Sequence, residues 1–80
     1  MTFLIIDDHP VILEFLESLI KQTESNVEII KTYSVENALL ILKSNQIDRV
    51  ICDLQIKSGK SLVIPDFCCK NEIPYMVFSS

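Results

Sequence analysis

The chain opens on the stretch Leu4-Ile5-Ile6-Asp7-Asp8-His9-Pro10, in which a short apolar run ends at two acids and a proline. A continuous apolar run of this length is typical of a strand covered on both faces of a parallel sheet. His9-Pro10 then ends the strand and begins a helix, because proline is tolerated in a first helical turn. The stretch predicts a strand-to-helix junction with two carboxylates at the carboxyl end of the strand.

The rest of the chain repeats this alternation of short apolar runs and amphipathic stretches, which predicts βαβ units around an open parallel sheet. Strands are expected over Thr2–Ile6, Val27–Tyr33, Arg49–Asp53 and Tyr75–Phe78. Helices are expected from Pro10 to about Gln22, from Val35 to about Lys43 behind a Ser34 N-cap, and over Ser61–Lys70. In the first helix we expect two neighbouring rows to face the core, Val11–Phe15–Leu19 and Ile12–Leu16–Ile20.

Composition restricts the class of protein and its partners. The 80 residues make one small domain, 1–80, and the net charge of −4 disfavours nucleic acid and anionic membranes as partners. No apolar run approaches the length of a membrane span. The three cysteines are odd in number, and Cys68 and Cys69 are adjacent, which suits buried thiols in a reducing cytoplasm better than disulfides or a metal site.

Three acids carry the chemistry that the pattern predicts. Asp7 and Asp8 follow the first strand, and Asp53 ends the third; in a sheet of order 2-1-3-4 these strands are neighbours, so the acids converge where such sheets bind ligands. A proton or a cation must relieve their repulsion, and Mg²⁺ suits oxygen ligands. The residues alone leave a plainer alternative open, with Asp7 and Asp8 as helix-capping acids and Asp53 as a strand-end acid beside a turn.

Three stretches in order resemble the receiver domains of response regulators, especially those of the LuxR/NarL type that carry a LuxR-type DNA-binding domain. They are residues 4–10, residues 50–54 (Val-Ile-Cys-Asp-Leu) and residues 74–80 (Pro-Tyr-Met-Val-Phe-Ser-Ser). The resemblance implies a flavodoxin-like (CheY-like) α/β fold with strand order 2-1-3-4, and a cytoplasmic signalling role in a two-component phosphorelay.

The resemblance also implies roles for particular residues. Asp53 is expected to accept a phosphoryl group from a sensor histidine kinase or a phosphotransfer protein. Mg²⁺ is expected on Asp8 directly, on Asp7 through water, on Asp53, and on the backbone carbonyl of Gln55. The Ser79 hydroxyl is expected to hydrogen-bond the aspartyl phosphate as the switching step.

The sequence also departs from the family. It stops after the fourth strand, so the fourth helix, the fifth strand with its lysine and the last helix are missing, and we expect a truncated receiver domain. Lys57 stands where the family has a proline; Lys57 or Lys60 is a candidate replacement for the missing cation, although a solvated loop lysine is the plainer interpretation. A bare apolar edge at Tyr75–Phe78 predicts self-association through the fourth strand.

Three functions are compatible with parts of the sequence pattern. The first is a working receiver that switches partners on phosphorylation. The second is a chemically impaired interaction or dimerisation module, or a fragment of a longer transcriptional regulator. The third, a phosphatase of the haloacid-dehalogenase type, needs a second aspartate two residues after the nucleophile, where this chain has His9 or Gln55, so we do not expect an enzyme. His9 itself is interpreted as a helix-start residue at the rim of the pocket, with a metal-ligand or proton-donor role as the lesser alternative.

Overall fold

The computed structural model describes residues 1–53 and 63–78, over which four strands and three helices alternate. The strands are β1 (Thr2–Ile6), β2 (Glu28–Thr32), β3 (Arg49–Asp53) and β4 (Tyr75–Phe78), and the helices are α1 (Pro10–Thr23), α2 (Val35–Ser44) and α3 (Val63–Lys70). All three strand pairs are parallel, in the order β2-β1-β3-β4, which confirms the predicted sheet. None of the helices in these residues is long and apolar enough to cross a membrane.

The side chains of the central strands alternate between two apolar layers, as the pleat of a strand requires. Leu4 and Ile6 of β1 join Val50 and Cys52 of β3 on the face covered by α2 and α3. Phe3 and Ile5 face the other way and pack with Leu13 and Ile20 of α1. Because both faces of β1 are covered, its run of apolar residues is continuous, as the sequence predicted.

The orientation of α1 differs from the prediction. The helix buries Leu13 and Ile20 against the sheet, with Ile12 and Leu16 half-buried beside them, while the predicted core row Val11–Phe15–Leu19 is exposed. The reason is geometric: apolar residues cover more than half of the helix circumference, but packing on one sheet face buries only one stripe. The second row of the prediction was therefore right, the first was wrong, and Leu13 was missed.

The start of α2 follows the prediction closely. The Ser34 side chain accepts a hydrogen bond of 3.1 Å from the backbone N–H of Asn37, as an N-cap should, and the backbone N–H of Ala38 donates to the carbonyl of Ser34. Val35, Ala38 and Leu42, whose spacing places them on one face of a helix, lie in the core. One apolar stripe in a ten-residue helix leaves little freedom of orientation, which is why this helix was predictable and α1 was not.

The cysteines divide into two buried residues and one exposed residue. Cys52 lies in β3 and Cys68 in α3, both in the apolar core, and burial raises the pKa of each thiol to about 11. Cys69 is exposed, which corrects the expectation that all three are buried. All three are free thiols, so no disulfide contributes to the stability of the described fold.

Candidate functional site

Two buried acids lie side by side where β1 and β3 end. The strands are in parallel register with Ile6 opposite Cys52, so the next residues, Asp7 and Asp53, emerge at the same edge of the sheet. The backbone N–H of Asp7 donates to the carbonyl of Thr32 at 3.1 Å, which extends the β1–β2 ladder by one residue. Both aspartates are completely buried. This edge is the switch point predicted from the strand order, because the chain builds outward from β1 to β2 on one side and to β3 on the other.

Asp8 and His9 complete a four-residue cluster at this edge. One ligand atom from each of Asp7, Asp8, His9 and Asp53 lies within 4.8 Å of the others. One carboxylate oxygen of Asp7, Oδ2, is buried and has no hydrogen-bond partner among the described residues. Burying a carboxylate oxygen without a donor is costly, so the cluster calls for a cation or a proton. Oxygen-rich donor sets of this kind suit Mg²⁺.

The ring of His9 lies on the acids rather than away from them. Its Nδ1 is 2.9 Å from Oδ1 of Asp7 and 3.0 Å from Oδ1 of Asp8, and its backbone N–H also donates to Oδ1 of Asp7 at 2.9 Å. The hydrogen bond to Asp7, followed by the negative charge of Asp8, raises the pKa of His9 above its ordinary value. His9 does begin α1, as predicted, but its side chain makes no capping bond. The ring lies beside the acids, and the lesser alternative for His9, a role as metal ligand or proton donor, stays a prediction.

A second set of residues, missed by the sequence argument, positions the acids. Thr32, whose carbonyl receives the Asp7 N–H, is buried at the end of β2, and its hydroxyl accepts a hydrogen bond of 2.9 Å from the side-chain amide of Asn37 in α2. This link ties the start of α2 to the edge that holds Asp7. A threonine that ends a strand, followed five residues later by an asparagine inside a helix, carries no signal that distinguishes such a contact from ordinary solvent exposure.

Not every residue predicted for the site falls in the described part of the chain. Gln55 and Ser79 lie outside the described residues, as do the two candidate lysines, Lys57 and Lys60. Asp7, Asp8 and Asp53 are brought together as predicted, and His9 joins them. The roles assigned to all of these residues stay predictions.

The described residues form a flavodoxin-like open parallel sheet with an acidic cluster at its switch point, which is where open α/β sheets bind ligands. Residues 3–62 match the response regulator receiver domain family. The chain belongs to that family, as the resemblance indicated. A search of curated proteins finds no match.

Solved structures agree on the fold. The chain is similar to the signal receiver domain of the DNA-binding response regulator merR from Colwellia psychrerythraea 34H, with a TM-score of 0.88 and 18% identity over 100% of this chain and 68% of that one. It is also similar to a response regulator from Burkholderia pseudomallei solved with a phosphorylated aspartic acid, a calcium ion and citrate, with a TM-score of 0.83 and 18% identity over 98% of this chain and 46% of that one.

A third similar structure is RcsB from Salmonella enterica serovar Typhimurium, bound to the rprA promoter in the presence of the phosphomimetic BeF₃⁻. Its TM-score is 0.79 and its identity 20%, over 99% of this chain and 42% of that one. Receiver domains of two-component systems are in general signalling modules that bind Mg²⁺ in an acidic pocket and interact with histidine kinases or phosphotransfer proteins. The likeness to these structures concerns the fold alone.

Proposed function

We propose that residues 1–80 form one receiver unit that accepts a phosphoryl group on Asp53 in a Mg²⁺-dependent reaction and thereby changes its partner. The observation that carries the proposal is the convergence of two fully buried aspartates, Asp7 and Asp53, with Asp8 at the carboxyl edge of a receiver-type sheet. An acid cluster at any other edge of the sheet would not adjoin the switch point. Membership of the receiver family supports the same function.

The proposed ion site consists of the carboxylates of Asp7, Asp8 and Asp53 together with the backbone carbonyl of Gln55. The buried Oδ2 of Asp7, which has no hydrogen-bond partner among the described residues, supports a cation here. When bound, Mg²⁺ neutralises charge that builds up on the phosphoryl oxygens during transfer. Asp7 and Asp8 hold the ion, and the rigid β1–β3 pairing holds Asp53 in place beside it.

In the proposed transfer, a carboxylate oxygen of Asp53 attacks the phosphorus atom of the donor. A new P–O bond forms to Asp53, and the bond between phosphorus and the leaving group of the donor breaks, so that the leaving group departs with the electron pair. Burial of Asp53 excludes bulk water, which slows hydrolysis of the acyl phosphate. The Ser79 hydroxyl is proposed to donate a hydrogen bond to the phosphoryl group on Asp53. This hydrogen bond is the proposed switching step that changes which partner binds.

Incubation with a small phosphodonor and Mg²⁺ tests the proposal. Intact mass spectrometry is expected to show a gain of one phosphoryl group on the natural chain. The gain is expected to vanish in Asp53→Asn and under chelation, and to persist in Asp66→Asn, which changes an exposed acid of α3 in the same way. No gain from a chain shown by circular dichroism to be folded would favour the alternative, a receiver-shaped interaction module without efficient chemistry.

The contact surface for the phosphodonor protein is proposed on α1. Val11, Phe15 and Leu19 are 76%, 59% and 43% exposed, and the row begins two residues after His9, so it adjoins the acidic site. An exposed apolar row rimmed by polar residues is typical of a protein-binding surface.

Phosphotransfer from kinases tests this surface. Against the phosphorylated histidine kinases of the source organism, Phe15→Ala is expected to slow transfer at least about tenfold, since a central aromatic anchor contributes on the order of 2 kcal/mol to an interface. Labelling by the small phosphodonor is expected to stay at the natural rate. Leu40→Ala, at an exposed position of α2, is the matched control and should change neither reaction. If Phe15→Ala slowed both phosphotransfer from kinases and labelling by the small phosphodonor equally, Phe15 would contribute to folding or to the chemical step and not to the contact surface.

Self-association is proposed through β4. Within residues 1–53 and 63–78 this strand pairs only with β3, and its residues Tyr75 and Met76 are 45% and 62% exposed. Beside them a cavity of about 320 Å³ opens between α1 and the sheet, lined in part by Phe3, Ile20 and Ile51. An edge strand with exposed apolar side chains invites pairing with a second copy of the chain.

Sedimentation velocity at tens of micromolar tests this proposal. The natural chain is expected to sediment as a dimer or larger species, and Met76→Lys as a monomer, because a lysine on an edge strand opposes pairing. Leu40→Lys places the same charge at an exposed apolar position in α2 and should leave the association unchanged. A stable monomer of the natural chain would contradict the proposal.

A further inference from the structure

The position of the His9 ring raises a question that the three carboxylates do not answer, namely which ion the site selects. The ring nitrogen Nδ1 is 2.9 Å from an oxygen of Asp7 and 3.0 Å from an oxygen of Asp8. Two neighbouring ligands of an octahedral ion with bonds of 2.0–2.2 Å are separated by about 2.8–3.1 Å. The contact of Nδ1 with Asp7 is a hydrogen bond in this structure, and the same spacing also suits a neutral ring nitrogen that is a ligand adjacent to both carboxylates.

We infer that His9 is a ligand of the cation site and that its imidazole makes the site bind divalent transition-metal ions such as Co²⁺ and Ni²⁺ in preference to Mg²⁺. The inference rests on the proposed function, because it concerns the same ion site, but it adds a nitrogen donor to a set otherwise made of oxygen.

Donor chemistry supports the selectivity. Mg²⁺ is a hard ion that takes oxygen ligands and keeps much of its water, whereas imidazole suits first-row transition ions, for which affinity rises from Mn²⁺ through Co²⁺ to Ni²⁺. Neutral imidazole is the commonest nitrogen ligand in proteins. The ring needs no rearrangement of the backbone, since the hydrogen bond from the His9 N–H to Asp7 already directs it toward the acids.

Burial in the cluster points to a ligand independently of the ring. Asp7 belongs to the cluster and is completely buried, and its Oδ2 has no hydrogen-bond partner among the described residues. The four ligand atoms lie within 4.8 Å of one another, and opposite ligands of an octahedral ion are about 4.2 Å apart, so only a small closure of the side chains accompanies binding. His9 is 57% exposed at its side chain and is free to make that movement.

Calorimetric titration of the untagged chain with CoCl₂ and with MgCl₂ separates the two ions. A Cys69→Ser background removes the one exposed thiol, which would otherwise compete for Co²⁺. His9→Ala and His9→Asn are expected to weaken Co²⁺ binding at least about tenfold, the lower end of what even outer-sphere partners contribute to metal sites. Mg²⁺ affinity is expected to change by much less than Co²⁺ affinity, because Mg²⁺ takes oxygen ligands. His9→Asn keeps a residue that is favoured at a helix N-cap, so a loss in both variants reflects the imidazole and not the helix start.

Proton NMR gives a direct readout. His9 is the only histidine of the chain, so a hyperfine-shifted imidazole signal that appears with Co²⁺ belongs to it without further assignment. Such a signal, absent with Mg²⁺, is the expected result.

Co²⁺ and Mg²⁺ affinities that are both insensitive to His9, with an unshifted imidazole signal, would overturn the inference and leave the proposed phosphorylation standing. Co²⁺ ligation by His9 in a chain that gains no phosphoryl group on Asp53 would do the reverse, supporting the ligand role and removing the proposed function.

Discussion

Leu13→Ala is expected to lower the free energy of unfolding by about 2–5 kcal/mol, the range for a fully buried leucine that leaves a cavity. Leu13 is 1% exposed and is the central contact of α1 with Phe3 and Ile5 of β1. Because α1 is the one helix that covers this sheet face in the described part of the chain, few neighbours can collapse into the space. For a domain of this size the total free energy of unfolding is on the order of 4–12 kcal/mol. Truncation of this one side chain is therefore expected to remove a large share of the stability.

Urea unfolding followed by circular dichroism measures the effect, and Leu19→Ala provides the matched control. Leu19 lies in the same helix but is 43% exposed, so its truncation is expected to change the free energy of unfolding by no more than about 0.5–1 kcal/mol. Both variants make the same change in helix propensity, so the difference between them isolates burial. A larger loss for Leu19→Ala than for Leu13→Ala would mean that α1 presents the row predicted from sequence and not the row seen in the structure.

That comparison marks where sequence reasoning succeeded and where it stopped. The strands were predictable because the continuous apolar runs of β1 and β3 are typical of strands that are buried on both faces of a parallel sheet. The face of α2 was predictable because it has a single apolar stripe. The face of α1 was not, because Val11, Phe15 and Leu19 extend its apolar surface beyond the width that a sheet can cover, and periodicity alone does not choose between adjacent rows.

The acidic site shows a similar division. Strand order and strand ends sufficed to place Asp7 and Asp53 together, since parallel register leaves no alternative for residues that follow Ile6 and Cys52. The direction of the His9 ring depends on a rotamer and on a local hydrogen bond to Asp7, neither of which leaves a periodic trace. The part played by Thr32 and Asn37 is a tertiary contact between elements and was beyond reach for the same reason.

The acidic cluster also destabilises the fold. Two buried carboxylates, with a third beside them, repel one another at the edge of a core that is small for its surface. The hydrogen bond between the His9 ring and Asp7 offsets part of this repulsion, and a bound cation would offset more of it. Binding of a cation and the stability of the domain are therefore linked, and the linkage can be measured without any phosphodonor or partner.

Saturating Mg²⁺ is accordingly expected to stabilise the natural chain by about 2.7 kcal/mol at a hundredfold excess over its dissociation constant. For a domain of this size that corresponds to a rise of roughly 10 °C or more in the thermal midpoint. In Asp7→Asn the rise is expected to disappear, because the substitution removes one of the charges that attract the ion. Without Mg²⁺ the same variant is expected to differ little in stability from the natural chain, because relief of the repulsion within the cluster offsets the weaker hydrogen bond to the His9 ring.

Differential scanning calorimetry with and without MgCl₂ measures both effects. Asp66→Asn removes the same charge from an exposed position of α3 and should keep the full response to Mg²⁺. An equal response in Asp7→Asn would show that the ion binds elsewhere and would remove the physical reason for burying this aspartate. Little change in stability without Mg²⁺, together with loss of the response to Mg²⁺, is the result expected for a buried carboxylate that binds a cation.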